Sequence, residues 1–419
     1  MTQEEPELEA PTLLEIREPR EGLPEVVDTN HALQRAVKSL TQGVGPVAID
    51  AERASGFRYG QRAYLVQLNR KGSGIHLIDP TNFPNLAPIQ QALDGVDWIL
   101  HAASQDLVCL AEVGLKPTAL LFDTELAGRI LGLPKVGLGT LVETQLGISL
   151  AKEHSAADWS KRPLPTDWLN YAALDVEFLH DLWDVLSKQL HESAKYDYAM
   201  AEFANVRDNT RAIERVDPWR RTSGLHGARN PRTLAIVRAL WEARESLAKQ
   251  KDLAPGRILP DSLLVQIALS ALESPSNFKA LEVWSNRLVA RHRASWVAAV
   301  EDALALPEQS LPPTKIVSNG PPAPRLWADR NPEAFAKLEQ VRSDLANLSE
   351  STAIPVENLM LPDIVRRILW TAPTDEASVP QILSDMGARQ WQIGLVAPII
   401  TRALLSPLNV TEPEGSSEH

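Results

Sequence analysis

"VAIDAERASG", Val47–Gly56, decides how the chain is read. Val47, Ala48 and Ile49 read as a buried strand. Asp50 and Glu52 then place two carboxylates where the apolar pattern should continue. Side chains two apart on a strand share a face. Both acids therefore project together from the strand's C-terminal edge, where ligand sites gather in open sheets. Two close carboxylates raise each other's pKa unless a cation sits between them, and such oxygen ligands suit hard Mg2+ or Mn2+. Taken alone, D-x-E is more often a strand-end turn carrying two solvated acids.

Outward from this strand, AYLVQL (63–68) and IHLID (75–79) read as two further strands, and DWIL (97–100) as another. Helical periodicity follows over 104–113, 124–131, 138–146 and 166–190. A meander followed by strands alternating with helices predicts an α/β domain over 29–200, a mixed sheet flanked by helices. Beyond it the strands vanish and all-α modules follow. Residues 226–305 read as short amphipathic helices punctuated by Pro255, Pro260 and Pro275. Residues 306–326 are a Pro-rich linker, and 327–408 form a second helical module. "NPRTLAIVRALWEARESLAKQKDLAPGRILPDSLL" (230–264) is similar to "NPEAFAKLEQVRSDLANLSESTAIPVENLMLPDIV" (331–365). Aligned with small insertions, Arg244 falls on Arg342, Leu247-Ala248 on Leu345-Ala346 and Pro260-Asp261 on Pro362-Asp363, as in two copies of one module. The acidic N-terminus, 1–28, and the tail, 409–419, are expected to be disordered.

The 419 residues suffice for two or three domains. The lone Cys109 excludes disulfides within the chain and a cysteine-based zinc site. No apolar run approaches the ~20 residues of a membrane span, and the N-terminus lacks a basic-then-apolar signal pattern. A cytoplasmic protein with no membrane partner is the expectation. The net charge of -12 argues against a polyanionic partner, but its distribution does not. Between 205 and 300, sixteen basic residues face nine acids; from 301 onward, nine face sixteen. The basic segment is either a solvated helical surface or a site for nucleic acid.

Two further places carry acids. Asp106 follows the strand DWIL at the start of a helix, where the dipole also favours an ordinary acid. Tyr171 and Asp175, in "WLNYAALDVEFLHDLWDVL", stand at i and i+4 and share a helix face, with Leu174, Phe178, Leu179, Leu182 and Leu186 as the buried stripe. D-x-E, then an Asp after a strand, then Y-x-x-x-D on a late helix resembles the tyrosine-bearing branch of the DEDD exonuclease superfamily. "YLVQL", "LHAASQDL", "FDTELAGRILG" and "KEHSAADWSKRPLPTDWLNYAALDV" look closely like the ribonuclease D family over roughly 30–190. The basic helices that follow resemble the HRDC domain. Ala51 stands where the family often has Thr, and "KEHSAADW", with His154, replaces a commoner charged run.

The resemblance implies a ribonuclease H-like catalytic domain acting as a metal-dependent 3′→5′ exoribonuclease. It implies that Asp50, Glu52, Asp106 and Asp175 hold two divalent cations, Mg2+ or Mn2+, and that Tyr171 orients the attacking water. Nucleoside 5′-monophosphates would leave one at a time from RNA 3′ ends, tRNA precursors foremost. Three residues invite a weaker assignment to substrate. Gln67 contacts either substrate or core; His101 lines the cleft or caps the strand end; Arg162, with Trp159, touches a phosphate or pins the last helix. Two alternatives stand beside this reading: a DNA 3′→5′ exonuclease acting on single strands, and a catalytically silent nucleic-acid-binding scaffold.

Overall fold

The computed structural model describes residues 14–405 apart from 152–155, 213–214, 276–277, 281, 316–319 and 374. The expected disordered tail and His154 lie outside the described residues. The strands are β1 (Leu14–Ile16), β2 (Val26–Val27), β3 (Val44–Arg53), β4 (Ala63–Lys71), β5 (Gly74–Ile78), β6 (Trp98–Leu100), β7 (Leu121–Asp123) and β8 (Ile148–Leu150). Six make one mixed sheet in the order β2-β5-β4-β3-β6-β7, and β1 pairs with β8 apart from it. The meander β3-β4-β5 is antiparallel; β2, β6 and β7 join its two sides in parallel.

Two layers of helices cover this sheet. Val47, Ile49 and Ala51 pack in one cluster with Leu33, Leu40, Ile89 and Leu110, which lie on or beside α1 (Asn30–Gln42), α2 (Ala87–Ala92) and α3 (Leu107–Glu112). Ala48 faces the other way, into a cluster with Leu174, Leu182 and Phe203. That layer is α4 (Thr124–Leu131), α5 (Leu138–Leu141), α6 (Thr166–Glu177), α7 (Leu179–Glu192) and α8 (Tyr196–Asn209). The two-residue period therefore turns Asp50 and Glu52, in the row of Ala48, toward α6.

Several expectations change. Residues 14–28, expected to be disordered, carry β1 and β2. Val26 and Val27 extend the sheet on β5 and Leu14–Ile16 pairs with β8, so a few apolar residues suffice where a strand edge offers hydrogen bonds. The stretch 166–190 is two helices, broken at Phe178. β7 and β8, three residues each, are too short to show a period.

The helical half begins with α9 (Pro231–Lys251), α10 (Pro255–Ile258), α11 (Asp261–Glu273), α12 (Arg287–Ala290) and α13 (Arg293–Ala305). It continues with α14 (Trp327–Arg330), α15 (Pro332–Thr352), α16 (Val356–Leu359), α17 (Pro362–Thr371), α18 (Val379–Asp385) and α19 (Gln390–Leu405). α9 and α15 are each 21 residues long, capped by Asn230 and Asn331, opened by proline and closed by a residue with positive φ, Asp252 and Ala353. The short helices α10 and α16 follow at the same constant spacing. The caps therefore place Leu240 opposite Val341 and Arg244 opposite Leu345, all four buried. The expected match of Arg244 to Arg342 is three positions out of register. A shift of three nearly preserves a helix face, so the apolar pattern does not detect it.

The two modules attach differently. The first has its own core, with Leu240, Ile267, Trp284 and Trp296. It holds the α/β domain through the segment after β3. Ala254 N–H donates to Phe57 O at 3.0 Å, Arg257 Nε donates to Gly56 O at 2.6 Å, and Tyr59 packs on the module's core. The second shares one continuous core with α4, α7 and α8. There Arg389 clasps the buried Glu202 at 2.6 and 2.5 Å, Trp391 Nε1 donates to the same carboxylate at 2.9 Å, and Tyr198 stacks on Trp391. Among the described residues no helix is long and apolar enough to cross a membrane.

Candidate active site

β3 delivers Asp50 and Glu52 to the carboxyl edge of the sheet, and α6 lies across β3, β4 and β5 on the same side. Oxygens of Asp50, Glu52 and Asp175 come within 4.8 Å of one another. Asp175 is 125 positions from Asp50, so only folding makes this cluster. Asp106 closes α3's N-terminal side beside it, its oxygen 3.9 Å from the Arg53 guanidinium rather than within the tightest group. Tyr171, one helical turn before Asp175, donates its hydroxyl to that carboxylate.

The electrostatics follow from burial and like charge. Burial and the neighbouring acids push Glu52 and Asp175 well above the usual carboxylate range. Burial lifts Asp50 to about 6, against hydrogen bonding at Ala51 and the Arg53 charge. Asp106 rises to about 8, through burial first and Asp50 second. Burial and the charges of Asp175, Glu52 and Asp50 push the Tyr171 hydroxyl far above its ordinary value, so it stays protonated at neutral pH. Nearby carboxylates that cannot all ionise are what a divalent cation would relieve, and an all-oxygen set fits Mg2+ or Mn2+. The one cysteine, Cys109, is buried with its thiol pushed up to about 12, so no thiolate competes.

The weaker assignments resolve into positions. Gln67 is fully buried, directly across the β3–β4 ladder from Asp50. His101 follows β6 and bonds Thr124 Oγ1 through Nδ1 at 2.9 Å; burial lowers it to about 4, so it is neutral. The Arg162 guanidinium is spent inside the fold. It donates to Asp79 at 2.5 Å and to the carbonyls of Tyr64, Trp159 and Lys161 at 2.7–2.8 Å. Its bonds describe the pin; none reaches toward the carboxylates.

Two residues of the site carry no motif of their own. Asp123, buried at the end of β7, accepts from the backbone N–H groups of Ala102 and Ala103 at 3.1 and 2.8 Å and caps α4 through Glu125 and Leu126. It thereby anchors the loop that carries Asp106. The N-cap pattern Asp-Thr-Glu before a helix was the available signal. Arg53 is the other; one basic residue after D-x-E looks like solvated charge.

Comparison with known proteins agrees with this geometry. Residues 24–191 match the family described as 3′-5′ exonuclease, 233–300 the HRDC domain and 320–404 the 3′ to 5′ exonuclease C-terminal domain. Ribonuclease D of Granulibacter bethesdensis is 31% identical over 306 residues, 70% of this chain and 76% of that protein. Ribonuclease D of Gluconacetobacter diazotrophicus is 33% identical over 296 residues, 67% and 73% of the two chains. A solved protein from Bifidobacterium adolescentis is 37% identical, with 94% of this chain and all of that one superposed at a TM-score of 0.86. Escherichia coli RNase D, an exoribonuclease involved in structured RNA processing, shares the fold at 24% identity and a TM-score of 0.66, over 91% of this chain and 98% of its own. With a nuclease sheet, an HRDC module and relatives that span most of its length, the chain belongs to the ribonuclease D family of 3′→5′ exoribonucleases.

Proposed function

We propose that this exoribonuclease trims structured RNA precursors, tRNA 3′ ends among them, to nucleoside 5′-monophosphates, and that Asp50, Glu52, Asp106 and Asp175 hold two divalent cations, Mg2+ or Mn2+. The observation that carries the reading is the meeting of Asp50, Glu52 and Asp175 oxygens within 4.8 Å. When bound, such a pair of cations activates the attacking water and stabilises the charge on the leaving 3′ oxygen.

The chain's own residues do the rest. The four carboxylates match the charge of two dications. Tyr171 is held by its bond to Asp175 and kept protonated by burial. Its oxygen lone pairs can accept a hydrogen from water, so it orients that water rather than removing its proton. Asp123 holds the loop of Asp106 in place. The basic module is docked by residues 56–59, a few positions beyond Glu52, so an RNA body resting on it can direct a single-stranded 3′ end to the carboxylates.

The test is Mg2+- or Mn2+-dependent release of nucleotides from a tRNA precursor with a 3′ overhang, beside matched single-stranded DNA. Asp175→Ala should abolish release, by more than the roughly 10–100-fold that losing an outer-shell partner costs. Release unchanged in Asp50→Ala would overturn the ligand assignment, and faster turnover of the DNA would overturn the RNA substrate.

A further inference from the structure

The Arg53 charge acts on Asp50, Glu52 and Asp106 alike. The β3–β4 ladder slips between Glu52 and Arg53, an irregularity of the kind that re-aims side chains beside active sites. Its guanidinium stands 3.9 Å from Asp106, longer than a hydrogen bond, and its side chain is 27% exposed while that of Asp106 is 8% exposed. Other arginines of this region are committed. Arg58 bonds Ser160 Oγ at 2.8 Å and pairs with Asp252; Arg62 lies over the Tyr64 ring; Arg162 donates to Asp79 and to the carbonyls of Tyr64, Trp159 and Lys161. Arg53 stands beside the carboxylates, and its donors make no hydrogen bond of ordinary length among the described residues.

Charge bookkeeping gives it a use. Four carboxylates set against two dications leave nothing positive over, yet the phosphodiester that must enter brings its own negative charge. A guanidinium presents a rigid fork that meets two phosphate oxygens at once. We propose that Arg53 grips the phosphodiester at the RNA 3′ end, exchanging its loose pairing with Asp106 for a two-point contact to the non-bridging oxygens. This rests on the carboxylate reading above. Before substrate and cations arrive, Arg53 serves as the cluster's built-in counter-charge, so it competes with the cations it later works beside.

The competition gives a signature that a merely structural arginine lacks. The full-length chain and its R53Q and R53K variants are compared in three measurements. These are binding of a labelled single-stranded oligoribonucleotide in Ca2+, Mn2+ binding to the RNA-free protein by electron paramagnetic resonance, and kcat and KM. R53Q should weaken RNA binding and raise KM by about 10–100-fold, the cost of one charged hydrogen-bonded contact. Its Mn2+ binding should hold or tighten. R53K should recover only part of the RNA affinity, because an ammonium gives a single point contact. RNA affinity unchanged in R53Q overturns the proposal. So does a parallel loss of RNA and Mn2+ affinity in both variants, which would make Arg53 a shaper of the carboxylate site. Nucleotide release that survives Asp175→Ala is a different failure: it sinks the ligand assignment, whatever the Arg53 variants do.

Discussion

The carboxyls of Asp50, Glu52, Asp106 and Asp175 carry the largest electrostatic conflict in the fold. Each is raised in the folded state, so the native protein binds more protons than the unfolded chain between the two pKa values. Their contribution to stability is fully present below about pH 4, the unfolded range, and is lost as pH rises through about 6 for Asp50 and about 8 for Asp106. In EDTA, the melting temperature should drop from pH 5 to pH 8. Added Mn2+ should raise it more at pH 8 than at pH 5; an equal rise at both would show that the cluster does not bind the ion. Arg162 acts through packing instead. Arg162→Ala leaves the buried Asp79 with Thr81 but without its charged partner, and should cost about 2–3 kcal/mol in urea denaturation. Retained stability with lost RNA affinity would return Arg162 to the substrate. Of these residues, spacing shows only that Asp50 shares a face with Glu52 and Tyr171 with Asp175; Asp106 joins them in the sequence through the family resemblance alone. Arg53 was not legible, because a lone charge has no period, and Asp123 left only its N-cap pattern.

At the scale of elements, the segment between β3 and β4 joins chemistry to the helical module. Tyr59 meets the module's core and hydrogen-bonds Glu245, Asp252 accepts from the Tyr59 N–H at 3.4 Å, and Arg257 lies over the Phe57 ring. Tyr59→Ala should loosen this junction by about 1–2 kcal/mol, since the ring is only partly buried. Calorimetry should show the 231–305 module melting ahead of the catalytic domain, and protease should cut more readily between 210 and 229. Unchanged cleavage would mean that the junction carries no stability. The strands β3–β5 and helices α6 and α7 were readable from alternation and amphipathic period. β1, β2, β7 and β8 were not: two or three residues cannot display a period and take their structure from a partner strand, whereas β6, equally short, stood out as the apolar run DWIL.

For the whole molecule, the acidic second module is built into the nuclease rather than tethered to it. Gly132, with φ +82°, ends α4 against Ala353; a Cβ there would stand 2.0 Å from the Ala353 carbonyl oxygen. Arg389→Ala would strand the buried Glu202 carboxylate and should destabilise the chain by about 3–5 kcal/mol. Denaturation should show the catalytic domain and the second module losing structure together. Separate transitions, with the nuclease domain unaffected, would show that the shared core is not cooperative. Nothing in the local pattern tells a tethered module from one that shares a core.

By itself the sequence determined the alternation of strands and helices, the faces on which the acids lie and the division into α/β and all-α parts. These follow from backbone periods of two and 3.6, which hold whatever the surroundings. Tertiary structure alone decided that Asp50, Glu52 and Asp175 meet within 4.8 Å, that Arg53 stands beside Asp106 and that the second module is fused to the nuclease core. Each of these depends on groups brought together by packing across long stretches of chain, and packing between distant elements leaves no period in the residues that take part in it.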